Sequence, residues 1–99
     1  MKNIILYLIT GTRGGETRGR IINLLKSTPL NAHRISSVLG MDYKTVKHHL
    51  KVLEKHGFLE IINKGNYGAM FFLSKELEMN FSFFKEIWNK LGKDLGKSY

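Results

Sequence analysis

The stretch Asn31–Gly57, NAHRISSVLGMDYKTVKHHLKVLEKHG, decides the fold. Asn31 is a strong helix N-cap, because its side-chain oxygen can accept from a backbone N–H that has no partner within the helix. Leu30 before it and Ile35 after it occupy the two positions of a hydrophobic staple. Ile35, Val38 and Leu39 repeat on one helical face, and Gly40 supplies the left-handed residue that stops the helix. Only Gly40-Met41-Asp42 intervenes before Asp42 caps a further helix, Tyr43–His56, which Gly57 ends. Two short helices joined by so brief a glycine-containing turn make a helix-turn-helix. Ser36 is small where the two helices must approach, and Val46 and Leu50 point back into the angle between them.

The second of these helices is two-faced. At ~100° per residue, Val46, Leu50 and Leu53 cluster on one side with His49 beside them. Lys44, Lys47, His48, Lys51 and Lys55 cluster on the other, and no acidic residue lies between Asp42 and Glu54. A solvated lysine face is the plain reading of such a pattern. The second helix of the pair, however, is the one that enters the major groove, which makes double-stranded DNA the favoured partner. Tyr43 and Lys44 then sit at its mouth. Thr45, Lys47 and His48 occupy the turns that reach base edges, and Lys51 and Lys55 are better placed for phosphates. Val52 lies off the apolar side, as expected if a following hairpin packs there.

Such a hairpin follows. Phe58–Ile62 (FLEII) and Met70–Leu73 (MFFL) are short strand-like runs, and Asn63–Ala69 (NKGNYGA) between them has loop chemistry. A hairpin directly after a recognition helix is a wing. Lys64, Asn66 and Tyr67 are the tip residues able to reach phosphate or minor groove; the alternative is a plain connection.

Upstream, Thr17 is a good N-cap, and Ile21, Leu24 and Leu25 form one face of a helix that should end near Ser27, before Pro29. The preceding Gly11–Gly15 resembles a phosphate loop only in its glycines. It lacks the lysine and hydroxyl that reach phosphate and metal, so a joint before a helix is expected there. Arg13 in that joint could touch a phosphate backbone. Ile4–Ile9 (IILYLI) is too short for the ~20 residues of a spanning helix and is expected to pack on the rest of the domain. The basic Gly11–Arg20 that follows offers no clear signal-peptide cleavage site.

Composition sets the frame. The 99 residues suit one domain over 1–99, with 42% hydrophobic residues for a core. Sixteen Lys+Arg against eight Asp+Glu leave a net charge of +8, which concentrates polyanions, nucleic acid first. No cysteine is present, so disulfides and thiolate metal sites are excluded and a cytoplasmic protein is expected, with no membrane partner. Catalysis would want paired carboxylates, a nucleophile with its base, or a metal cluster. Asp42 and Glu54 have cap and surface roles, and Ser36 and Ser37 lack a placed base, so an enzyme is not expected.

The final segment, Lys75–Leu95, carries Leu77, Phe81, Phe84, Trp88, Leu91 and Leu95 at coiled-coil spacing, widened by Phe83 and Ile87. Asn80 is a candidate cap for a restart within it. Packing on Ile4–Ile9 and pairing with the same helix of a second subunit are both open, and the two can coexist. The second reading makes Leu77, Phe81, Phe84, Trp88 and Leu91 the dimerisation residues of a homodimer. The fold class expected is therefore α+β, mostly α: a winged helix-turn-helix with a two-stranded wing and a C-terminal dimerisation helix.

The block Asp42–Leu59, DYKTVKHHLKVLEKHGFL, resembles the recognition-helix block of the ArsR-like winged helix-turn-helix regulators. The wider string is similar to small archaeal members. There a GTRGG-type loop precedes the first helix, an N-A start opens the second, and a YGA-F-LS return leads into an aromatic terminal helix. The likeness runs over roughly Ile4 to Leu91. It implies a winged domain, usually a homodimer, acting as a transcription regulator on sequence-specific duplex DNA, with repression the expected mode.

One departure bears on cofactors. Metal-sensing members of that family use cysteines or acid and histidine sets on the terminal helix, and this chain has no cysteine and no histidine after His56. His48 and His49 point ~100° apart on a helix. His49 and His56 lie two turns apart, about 10 Å, too far for one ion with ~2 Å bonds. No metal and no other cofactor is expected, and His33 and His56 read as helix-surface residues. The rival classes are a winged helix used for protein–protein or RNA contact, and a protein that coats DNA without choosing a sequence.

Overall fold

In a computed structural model, which describes residues 1–92, the two-helix core lies where the capping residues put it. The elements run α1 (Lys2–Thr10), α2 (Gly15–Ser27), β1 (Leu30–Asn31), α3 (Ala32–Leu39), α4 (Tyr43–Lys55), β2 (Leu59–Ile62), β3 (Met70–Leu73), α5 (Lys75–Met79) and α6 (Phe81–Lys90). Asn31 Oδ1 accepts from Arg34 N at 2.8 Å, and Asp42 Oδ2 accepts from Thr45 N at 3.2 Å. Gly40 ends α3 at φ 64°, a left-handed turn that a Cβ would strain. Ser36 closes the turn twice: its carbonyl accepts from Met41 N at 3.0 Å, and its hydroxyl donates to the Met41 carbonyl. The small residue at the helix approach therefore has a second use as a latch.

The wing is an antiparallel hairpin with Leu59 opposite Leu73 and Ile62 opposite Met70. It is the larger part of a three-stranded sheet in the order β1-β3-β2, because Leu30–Asn31 pairs with Phe71 and Met70. The two-stranded expectation is thus extended. A strand of two residues has no alternation to read, and only the open edge of β3 defines it. Phe58 lies before the ladder, not in it, and is fully buried. Val52 is half-buried against the core.

One further expectation is met and two change. Ile4–Ile9 does pack on the domain, as part of the helix α1, with Ile5, Leu8 and Ile9 buried. The helix expected from Thr17 begins at Gly15, with Gly14 (φ 84°) in the N-cap position and Thr17 inside the first turn. Val38, placed with Ile35 on the inner face of α3, is 52% exposed, because an eight-residue helix buries only the narrow side that carries Ala32 and Ile35.

The terminal segment differs most. Asn80 divides it into α5 and α6, spending its side-chain amide on the Glu76 carbonyl rather than on capping α6. Ser74 caps α5 and is tied to the strand start, donating from its hydroxyl to Gly57 O and from its backbone N to Phe58 O. Leu91 is the C-cap of α6, and Leu95 with the rest of the expected helix beyond residue 92 lies outside the described residues. Leu77, Phe84 and Trp88 are fully or almost fully buried in this chain's own core, where α6 packs on α1 and α2. Those three residues therefore present no surface to a second subunit. Phe81 is half-buried and Leu91 exposed. The buried part of the apolar spacing is filled within the same chain, with α1 beside α6 and Gly19 of α2 against Trp88.

Candidate nucleic-acid interface

Capping by Asp42 and burial of Val46, Leu50 and Leu53 fix which side of α4 faces outward. Lys44, Thr45, Lys47, His48, Lys51 and Lys55 are all exposed on it, and Tyr43 is half-buried at its start. The wing stands beside this face and closes a cleft of about 340 Å³ between α4 and the β2–β3 loop. Tyr43, Lys47 and Lys51 line it from the helix, and Lys64, Asn66 and Tyr67 line it from the wing, over a floor of Leu50, Ile61 and Phe71. Six of the ten residues expected to touch DNA are thus brought together. Lys44, Thr45, His48 and Lys55 are on α4 but do not line the cleft.

Two contacts at the cleft had no signal in the sequence pattern. His33, on the surface of α3, stacks on Tyr43 with ring centroids 4.1 Å apart and 12° between planes; it also meets Tyr67 of the wing at 5.1 Å. This stack joins α3, α4 and the wing tip. Lys64 forms an ion pair with Glu54, so part of its charge is already answered within the chain. No carboxylate pairs with Lys47 or Lys51 among the described residues, and Lys47 Nζ lies 5.9 Å from the centre of the Tyr43 ring. The two helix lysines therefore carry the less compensated charge.

Behind α4 the chemistry is different. Arg18 of α2 is 4% exposed and donates to Leu8 O at 2.9 Å, Arg13 O at 2.9 Å and the Thr12 hydroxyl. Its Nη1 lies 3.3 Å from His49 Nδ1. A guanidinium only donates, so His49 must be neutral there with its proton on Nε2. Burial, then Arg18, then His48 hold the His49 imidazole below its ordinary value; burial also lowers Arg18, which stays charged. The sign follows. The unfolded chain takes up a proton at His49 near pH ~6.5 and the folded chain only at lower pH, so stability is full above ~6.5 and declines as pH falls below it. Urea midpoints measured near pH 7.5 and near pH 5.5 should show this decline in the wild type and a smaller one in His49→Asn.

Residues 15–60, just under half of the chain, match the model of the bacterial regulatory protein ArsR family. They run from the first residue of α2 into β2 and include the whole helix-turn-helix. This segment is similar to the helix-turn-helix of ArsR-family regulators, and the fold that contains it is a winged helix-turn-helix. Solved structures agree on the fold. A probable transcriptional regulator from Pseudomonas aeruginosa superposes with a TM-score of 0.69 at 16% identity, covering 97% of this chain and 75% of that one. The reduced form of YodB from B. subtilis gives 0.68 at 20% identity, covering 88% and 85%. MarR of Staphylococcus aureus, solved with salicylate and kanamycin, gives 0.66 at 14% identity and covers 84% of this chain, which spans 57% of MarR. No curated protein matches the sequence significantly. The matched segment is thus similar to bacterial regulatory proteins, and the fold is shared with solved transcriptional regulators. Among the described residues no helix is long and apolar enough to cross a membrane.

Proposed function

We propose that the chain, acting as one domain, binds chosen sites on double-stranded DNA in the cytoplasm and represses transcription there, with no catalytic activity and no cofactor. The observation that carries this reading is the placement of Lys47 and Lys51, free of carboxylate partners among the described residues, on the face of α4 that the wing flanks. A recognition helix in the major groove uses its first turns for base edges and its later turns for phosphates. Thr45, Lys47 and His48 take the first role, with Tyr43 and Lys44 at the mouth. Lys51 and Lys55 take the second, and Lys64, Asn66 and Tyr67 approach the flanking backbone or minor groove from the wing.

Salt titrations separate the two roles. Each phosphate contact steepens log K against log salt by roughly 0.9. Lys51→Ala should therefore weaken binding to every duplex alike and flatten the slope by about one per subunit. His48→Ala should cost ~1–3 kcal/mol on the preferred site and little on random duplex. Equal losses on both duplexes would identify a protein that coats DNA. Tighter binding to RNA or to a protein in competition would favour the other winged-helix uses.

The reading includes a homodimer, because two half-sites about one helical turn apart are read by a two-fold pair. Exposed apolar residues available for that contact among the described residues include Ile4, Leu6 (41% exposed) and Tyr7 (57%) on α1, Met79 on α5 and Leu91 (43%) after α6, with Phe81 at the margin. Sedimentation at tens of micromolar should give a dimer for the wild type and a monomer for Leu6→Glu with Tyr7→Glu. A monomeric wild type removes this part of the reading.

A further inference from the structure

Arg18 is the one fully buried lysine or arginine among the described residues, and nothing in the DNA interface accounts for it. Its guanidinium reaches the last turn of α1 at Leu8 O, the α1–α2 joint at Arg13 O and Thr12, and α4 at His49 Nδ1. One side chain thus ties three parts of the chain to the back of the helix that faces DNA. The joint closes over the pair: a Cβ on Gly14 would stand 2.6 Å from His49 Cε1 and 3.1 Å from Arg18 Nη1. On the other side of His49, the His48 ring lies edge-on with centroids 5.2 Å apart. His48 is the residue assigned to base edges, so a movement of His49 is a movement of the reading surface.

We propose that Arg18 and His49 are a positioning pair that seats α4 for DNA recognition, and that uptake of a proton by His49 unseats it. This inference rests on the assignment of α4 as the DNA-reading helix. The physical reason is a reversal of roles at one nitrogen. Neutral His49 accepts at Nδ1 from Arg18; protonated His49 carries N–H groups at both nitrogens, so a donor meets a donor and a cation meets a cation. The titratable and charged groups facing His49 are Arg18 from α2 and His48 from α4 itself, with Tyr7 of α1 acting on Arg18. None of these is a carboxylate that could accommodate the added charge. The lowered proton affinity of His49 agrees with that geometry. The direction is distinctive: for a basic DNA-binding surface with exposed histidines, acid alone should strengthen attachment to phosphates.

The test uses the full chain and two duplexes, one selected by the protein from a random pool and one random, near pH 7.5 and near pH 5.5 at constant ionic strength. The wild type should lose about tenfold in affinity for the selected duplex on acidification while its far-ultraviolet circular dichroism stays unchanged. His49→Asn retains an acceptor for Arg18 but takes up no proton, and its affinity should hold or rise over the same interval. His48→Asn should keep the acid-induced loss. Wild-type affinity that rises on acidification, or a loss that His49→Asn shares, overturns the proposal, as does global unfolding of the wild type near pH 5.5. If neither duplex binds near pH 7.5, the DNA assignment fails and this inference with it; binding that acid does not weaken defeats this inference alone.

Discussion

Phe84→Ala should cost about 3–5 kcal/mol of folding stability, the range for removing a large aromatic from a packed core. Phe84 is fully buried, stacks with Trp88 at 5.8 Å between ring centroids and meets Phe81 at 5.4 Å. A domain of this size has on the order of 5–15 kcal/mol in total, so the variant should be marginal or unfolded at 37 °C. The measurement is a urea titration followed by circular dichroism. It discriminates between the two readings of the terminal segment. A dimer seam would give well-folded monomers on truncation, whereas an internal core gives loss of structure. Val38→Ala is the control, since an exposed side chain away from such features should change stability by no more than ~0.5 kcal/mol. A stable, monomeric Phe84→Ala would return the residue to the interface.

Gly15→Ala should be destabilising although alanine is the better helix former by ~1 kcal/mol. A Cβ at Gly15 would lie 2.0 Å from Ile9 O and 2.7 Å from Ile9 C. The obstacle is the backbone of α1, which cannot yield without parting α1 from α2. Overpacking of this kind costs about 1–3 kcal/mol or more, which outweighs the propensity gain. Gly19 makes a parallel case one turn later, where a Cβ would stand 2.1 Å from Trp88 Cζ3. There the obstacle is a side chain. Trp88→Leu should therefore relieve part of the cost of Gly19→Ala, with a coupling of ~0.5–3 kcal/mol, and none of the cost of Gly15→Ala. A Gly15→Ala protein with a raised urea midpoint would show that α1 is not held at this distance.

These glycines show where a local reading stops. Gly14 and Gly15 look like the hinge of a loop, or like a fragment of a phosphate loop. Gly14 has a local reason in its left-handed φ of 84°, but the close approaches of His49 to Gly14 and of Ile9 to Gly15 do not, and His49 is more than thirty residues away. Only the packed chain supplies those neighbours.

The sequence alone determined the parts whose physics is local. Asn31, Gly40 and Asp42 act on backbone groups within a few residues of themselves, so the boundaries of α3 and α4 were readable to within a residue. The 3.6-residue period of Val46, Leu50 and Leu53 likewise fixed the outward side of α4, and with it the lysines assigned to DNA. The wing hairpin was legible for the same reason, as two β-rich runs flanking a loop. Tertiary structure alone decided which surface meets which. Apolar spacing in the terminal segment states that a face must be covered, but not by what; the chain's own core covers Leu77, Phe84 and Trp88, with α1 against α6 and Gly19 of α2 against Trp88. The strand at Leu30–Asn31 exists only beside the edge of β3, the His33–Tyr43–Tyr67 stack only where three elements converge, and the Arg18–His49 contact only across thirty-one residues of chain. Periodicity records the need for a partner; the identity of that partner is a long-range property, settled by which pieces fill the same space.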